Sequence, residues 1–177
     1  LMGGAQIVSF TDGSVESDVC DAMYEDIARA SLTNTRWGFA TNQAVLNRLA
    51  TAPTGRWSSG YQLPSGTLNV NTVTVNDYAI AFDTYGDNIY CNANVTDELV
   101  ADFIFRANES QWPSYFTIAV EYAVAAVLAI SVARDPSLAQ MMEQKASLLM
   151  TQARGRDSQR QTTKRLDTSR FIAQRRS

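Results

Sequence analysis

The 177-residue sequence contains no histidine. That absence excludes Ser-His-Asp and Cys-His catalysis, histidine-ligated zinc and histidine acid–base chemistry together. Cysteine is scarce as well. Cys20 and Cys91 stand far apart without CxxC spacing, too few for a four-ligand zinc site or a disulfide framework. Both are expected as reduced, partly buried thiols of a protein made in a reducing cytoplasm. There is no P-loop, no GxGxxG between a strand and a helix, and no GxSxG elbow. No secretory signal pattern is recognisable. The longest apolar run, residues 118–133, is sixteen residues with Glu121 inside it. A span takes about 20 apolar residues, so the run is expected to be a core helix covered by other elements, with no membrane partner. The chain opens on Leu1 and not on a start methionine, so residues are expected upstream.

What is present supports one domain with a core: 45% hydrophobic and 19% charged residues. The net charge of −3 conceals an asymmetry. Residues 1–150 carry seven basic and sixteen acidic side chains; residues 151–177 carry eight basic and two acidic ones. An acidic body with a basic tail puts a boundary near residue 151 and predicts one folded domain over 1–152 and a basic C-terminal arm over 153–177. The arm's apolar islands, Leu166 and Phe171-Ile172, are too sparse for a core of its own. Extended, its length reaches about 90 Å. Phe171 and Ile172 suit anchoring on a partner, and Arg154, Arg156, Arg160, Lys164, Arg165 and Arg170 suit pairing with carboxylates or phosphates.

Thr11-Asp12-Gly13-Ser14 reads as a turn ahead of a helix. Val15, Val19, Met23 and Ile27 recur every fourth residue with acids on the other faces, predicting an amphipathic helix over about 15–32. Residues 37–49 are ambiguous between helix and strand. Beyond Pro53 short alternating runs at 61–63, 68–75, 78–84, 89–92 and 99–107 predict strands. Turns fall at Pro64-Ser65-Gly66, Asn76-Asp77 and Gly86-Asp87-Asn88. The change of parity between Leu68/Val70 and Val73/Val75 predicts a bulge at Asn71-Thr72. Pro113 suits the first turn of a helix to about 134. Asp135-Pro136 caps another, over 136–152, in an antiparallel hairpin. The fold class predicted is α+β but mainly helical: a helical bundle with one small antiparallel sheet inserted over about 41–107, and an extended arm.

Neighbouring acids such as Asp97-Glu98 and Asp83/Asp87 sit in turn-like surroundings, which leaves a non-enzymatic reading with no cofactor and no metal. One alternative is a nucleic-acid-binding module whose basic tail neutralises phosphates, with affinity falling steeply in salt. Another is a small enzyme built on a pocket with strongly perturbed carboxylates.

Several segments, in order, resemble the tail tubular protein A family, the head-to-tail adaptors of tailed bacteriophages. They are Gly4-Ala5-Gln6-Ile7 with Ser9-Phe10-Thr11-Asp12-Gly13-Ser14, then Tyr24 and Leu32, then Trp37-Gly38-Phe39-Ala40. Tyr61-Gln62-Leu63-Pro64 running into Leu68-Asn69-Val70 follows, then Trp112-Pro113 with Phe116, and finally Ala153-Arg154 with Asp157 and Ser158. The resemblance covers nearly the whole chain through order and spacing, while the tail matches no family motif. It implies a virion protein at the head–tail interface, made in the host cytoplasm. Such a protein forms a homo-oligomeric ring, commonly of twelve copies, between the portal protein and the tail tube or nozzle protein. The ring continues the DNA channel, and DNA passes the lumen without specific binding. The resemblance also implies that 41–49 is extended and that the C-terminal segment lies along the portal. An acidic lumen would repel phosphates, so Asp77, Asp83, Asp87, Asp97 and Asp102 are the channel-lining candidates.

Overall fold

The structure, a computed structural model, describes residues 15–51 and 53–160. The turn expected at 11–14 and the opening segment of the resemblance lie outside them. Three helices, α1 (Val15–Thr33), α2 (Ser114–Ser131) and α3 (Pro136–Ser158), flank eight strands. The strands are β1 (Thr41–Val45), β2 (Asn47–Arg48), β3 (Ser59–Gln62), β4 (Thr67–Val75), β5 (Tyr78–Ala79), β6 (Phe82–Tyr85), β7 (Asn88–Cys91) and β8 (Leu99–Phe105). They form two antiparallel four-stranded sheets, in the orders β1-β8-β4-β5 and β2-β3-β7-β6. The expectation of a mainly helical bundle with one small sheet is therefore corrected. Helix takes 45% and strand 26% of the described residues, and the strands are a full half of the architecture.

The two sheets share a core. Leu46, Tyr61, Val73, Ile89, Cys91, Leu99, Ala101 and Phe103 come from both and bury together. Along β8 the two-residue period of a strand sorts the side chains. Leu99, Ala101 and Phe103 face this inter-sheet core, whereas Ile104 joins the helical core. The bulge expected at Asn71-Thr72 is present, as a register shift between Val70 and Thr72 against β8. Asn76 and Asp77 both adopt positive φ, 50° and 66°, the geometry of a tight hairpin turn between β4 and β5. Residues 41–49 are extended, as the resemblance implied. Cys20 and Cys91 are free, buried thiols.

The helices meet the first sheet at an aromatic joint. Trp37 is wholly buried, donates from Nε1 to the Ser31 carbonyl at 3.0 Å, and packs edge-on against Phe116 with centroids 5.1 Å apart. Phe39 and Trp112 pack on the same Phe116 ring at 5.0 Å each. Asp135 caps α3, accepting from the Ser137 and Leu138 amides, with Pro136 in the first turn. Two helix ends differ from expectation. α2 stops at Ser131, because Arg134 takes a left-handed φ of 51° to reverse the chain. α3 continues to Ser158, so residues 153–158, expected in the arm, are helix, held there by buried Ala153 and Asp157.

A charged clamp ties α1 to this joint. Arg106 donates to Glu25 at 3.0 Å and to Glu109 at 2.6 Å while lying over the Trp112 ring. The Tyr24 hydroxyl donates to Glu109 at 3.0 Å. The Arg106 guanidinium holds both carboxyls below their ordinary value of 4.5. Carboxyls with lowered folded values contribute stability that is complete above the unfolded value and is lost as pH falls through the folded one. Urea midpoints are therefore expected to drop steeply once pH falls below 4.5. Arg106→Gln should lower stability at neutral pH and flatten that acid limb. An acid limb unaltered by the substitution would contradict the clamp.

Candidate functional site

α3 ends where the chain's basic segment begins, and Asp157 fixes that point. Its carboxylate, 4% exposed, accepts from the Gly38 amide at 2.8 Å and from the Tyr115 hydroxyl at 2.8 Å. One side chain thus joins the end of α3, the first turn of α2 and the entry to β1. Arg154, Arg156 and Arg160 are exposed around this root, with the Arg160 side chain against the Tyr115 hydroxyl. Lys164, Arg165, Arg170, Phe171 and Ile172, the other portal-binding candidates, lie outside the described residues.

The second feature is α2 itself. The sequence predicts a core helix covered on all sides, and this expectation is corrected: of the eighteen residues of α2 four are buried, nine half-buried and five exposed. Phe116, Ala119, Val120 and Ala129 are covered, while Ile118 and Ile130 are 43% and 61% exposed. Where α2 meets α1, the two helices leave an apolar groove of about 420 Å³. Cys20, Val120, Val124 and Leu128 floor it, Trp112 lies at one end, and Glu109 and Glu121 supply its charge. Burial pushes the Cys20 thiol up, which keeps it protonated. The four-residue period of α1 marks an apolar face in the sequence, but it carries no sign that the facing helix falls short of filling it.

The five channel candidates are not brought together. Asp77 sits at the β4–β5 turn, and Asp97 caps its own loop by accepting from the Asn94 amide at 2.8 Å. Both lie at the end of the first sheet where Val75 pairs with Leu99, away from the helices. Asp87 lies at the opposite end, its carbonyl accepting from Leu63 beside the β3–β4 turn. Asp102 faces outward on β8 and binds Arg36 at 3.2 Å and Gln43 at 2.9 Å. Asp83 is engaged by Arg56, by Trp57 Nε1 at 3.0 Å and by the Tyr85 hydroxyl at 3.0 Å, and Arg56 holds its carboxyl low. Among the described residues Asp77 and Asp87 make no ion pair, and no cluster of metal-ligating side chains occurs.

Asp83 also orders an aromatic surface that the sequence did not signal: Trp57, Tyr85 and Tyr90 beside Leu49 and Pro53. Trp57 stands 28 positions before Tyr85 and 33 before Tyr90, and the pairing of β3, β7 and β6 brings the two stretches together.

Asp157→Ala should cost about 1.5–3 kcal/mol, because it removes two hydrogen bonds to a buried carboxylate. Urea denaturation would measure the loss. Hydrogen exchange should show faster exchange at the Gly38 amide and in the last two turns of α3, with the inter-sheet core unchanged. In comparisons with known proteins, no family model matches the chain and no curated protein aligns with it significantly.

Proposed function

We propose that this chain is a structural virion protein, a head-to-tail adaptor of a tailed bacteriophage. In this reading it assembles as a ring, commonly of twelve copies, between portal and tail, continues the DNA channel, and docks to the portal through its C-terminal arm. The observation that carries the reading is α2, an apolar helix that the described residues cover incompletely, leaving Ile118 and Ile130 exposed, and that a neighbouring subunit would cover. By length and composition α2 is also apolar enough to cross a membrane. Exposed Glu121 within it, and the charged helices packed on it, favour a protein neighbour. The residues that carry the family resemblance add support, because they converge in space. Trp37, Phe39, Trp112 and Phe116 form one ring cluster, and Asp157 binds Gly38.

Catalysis has no part in this role. The acidic body suits a lumen that passes DNA without retaining it, and many copies of a weakly binding basic arm add through avidity.

The test is a mass determination by light scattering of the full chain and of a chain ending at Arg160, each alone and with portal protein in moderate salt. A ring formed by the full chain with the portal, and lost on truncation, is the expected result. A monomer that ignores the portal and binds duplex DNA with steep salt dependence would establish the nucleic-acid module instead. A density map of the assembled ring should place some of Asp77, Asp83, Asp87, Asp97 and Asp102 on the lumen. Asp77 and Asp87, which lack ion partners among the described residues, are the first expected there. All five on the outer surface would refute the acidic-lumen assignment.

A further inference from the structure

We infer that in the free chain the groove between α1 and α2 is the docking site of the chain's own basic arm, with Phe171 and Ile172 seated on its apolar floor. The inference concerns the protein before any partner is met and does not depend on the portal.

The groove fits that occupant in three respects. Its floor is apolar, and Val124, Ala125 and Leu128 are only half-buried, so two adjacent apolar anchors have surface to bury. Its surroundings are acidic. Glu121 on α2 and Asp18 and Asp21 on α1 are exposed and make no ion pair among the described residues, and Glu109 stands at the end nearest Trp112. The arm supplies the complement: residues 161–177 hold five basic side chains and one acidic one, with Arg170 directly before Phe171. Attraction of this kind steers an arm to its site and weakens with salt.

The third respect is reach. Asp157 anchors the end of α3 at Tyr115, in the first turn of α2. Trp112 and Thr117, at that same end of α2, line the groove. The arm therefore starts beside one mouth of the groove, on the α3 side of α2. To enter it the arm crosses the end of one helix, about 10 Å wide. Phe171 lies eleven residues beyond Arg160, and that length spans about 35 Å. Tethering keeps the arm at a high effective concentration, so modest contacts suffice to hold it. A partner that binds the arm more strongly would release it and uncover α2 in the same event, coupling arm capture to exposure of the apolar helix.

Ala125, half-buried on the groove wall, gives the test a place for a reporter thiol, since Cys20 and Cys91 are both buried. Full-length Ala125→Cys with Phe171→Cys, diluted and oxidised with copper phenanthroline, is expected to form an intramolecular disulfide between the two introduced thiols, found by peptide mapping. The yield should fall several-fold in high salt, and Ser177→Cys in place of Phe171→Cys should react more slowly. Hydrogen exchange is the second readout. Amides of α1 and α2 lining the groove should exchange several-fold more slowly in the full natural chain than in a chain ending at Arg160. Equal exchange in the two chains overturns the inference, as do introduced thiols at positions 125 and 171 that both stay free. Segment 1–14 filling the groove would give both of those results. A disulfide formed only between molecules overturns it too, and assigns the groove to a second copy.

Discussion

Residues 41–105 leave the helical layer and must return to it within one strand spacing, and the pairing of β1 with β8 imposes that return. Thr41 lies opposite Ile104, so the entry and exit of the inserted sheets are hydrogen-bonded neighbours about 4.8 Å apart. The consequence runs through both cores. Phe103 belongs to the inter-sheet core and Ile104 to the helical one. A slip of β8 by one residue would exchange them and expose both cores to the wrong face. Trp37 stands just before β1 and Phe116 follows β8 by one short connection, and their edge-on contact closes the gate from the helical side. Asp157 then ties the last helix to the same place. The helices, both sheets and the root of the basic segment are all referred to one joint.

Around that joint the charges divide by task. Arg106, Glu25, Glu109, Arg36 and Asp102 are used internally, binding elements across the sheet–helix boundary. Asp18, Asp21, Asp77, Asp87 and Glu121 have no such employment among the described residues. The acidic excess of the body is thus concentrated in side chains that the fold does not need. Exposed acids of this kind contribute little stability and much long-range potential. Arg154, Arg156 and Arg160, the described basic residues of the C-terminal segment, are likewise exposed, while buried Ala153 and Asp157 carry the helix as far as Ser158.

Local features of this architecture were legible in the sequence. The period of α1, the Asp135-Pro136 cap, the Asn76-Asp77 turn and the Asn71-Thr72 bulge each depend on residues within a few positions of one another. The division of the strands into two sheets was not legible, because it depends on which distant strand each one pairs with. β3 meets β7 across some thirty residues, and β4 meets β8 across a similar gap. The end of α3 was missed for a different reason. Among the described residues past Gln152 only two positions four apart, Ala153 and Asp157, are buried, and an aspartate in an arginine-rich run reads as solvent-exposed unless its Gly38 and Tyr115 partners are known. The candidate site was half visible: the basic segment with its paired anchor could be read from composition. The incomplete cover of α2 could not, because an apolar helix looks the same in sequence whether its own chain or a neighbour buries it. The five aspartates show the same limit, since shared charge does not imply a shared face.

That ambiguity about α2 is physical as well as interpretive. A helix whose apolar residues circle it cannot be satisfied by two neighbouring helices, each of which covers roughly a third of its circumference. Lys145 over Tyr122 shows how one flank is managed, with a long cationic stem laid on an aromatic ring. Across the α1 flank the packing stays open, and Met23 is 41% exposed beside it. A single chain in water gains nothing by keeping Ile118 and Ile130 exposed, and polar residues there would be more soluble. Their presence makes physical sense where the uncovered side of α2 is buried for part of the protein's life. The same face then has to be tolerated when it is not. An acidic rim, a small groove in place of a flat patch, and a tethered segment of opposite charge starting at its mouth are three ways of tolerating it, and this chain has the residues for all three.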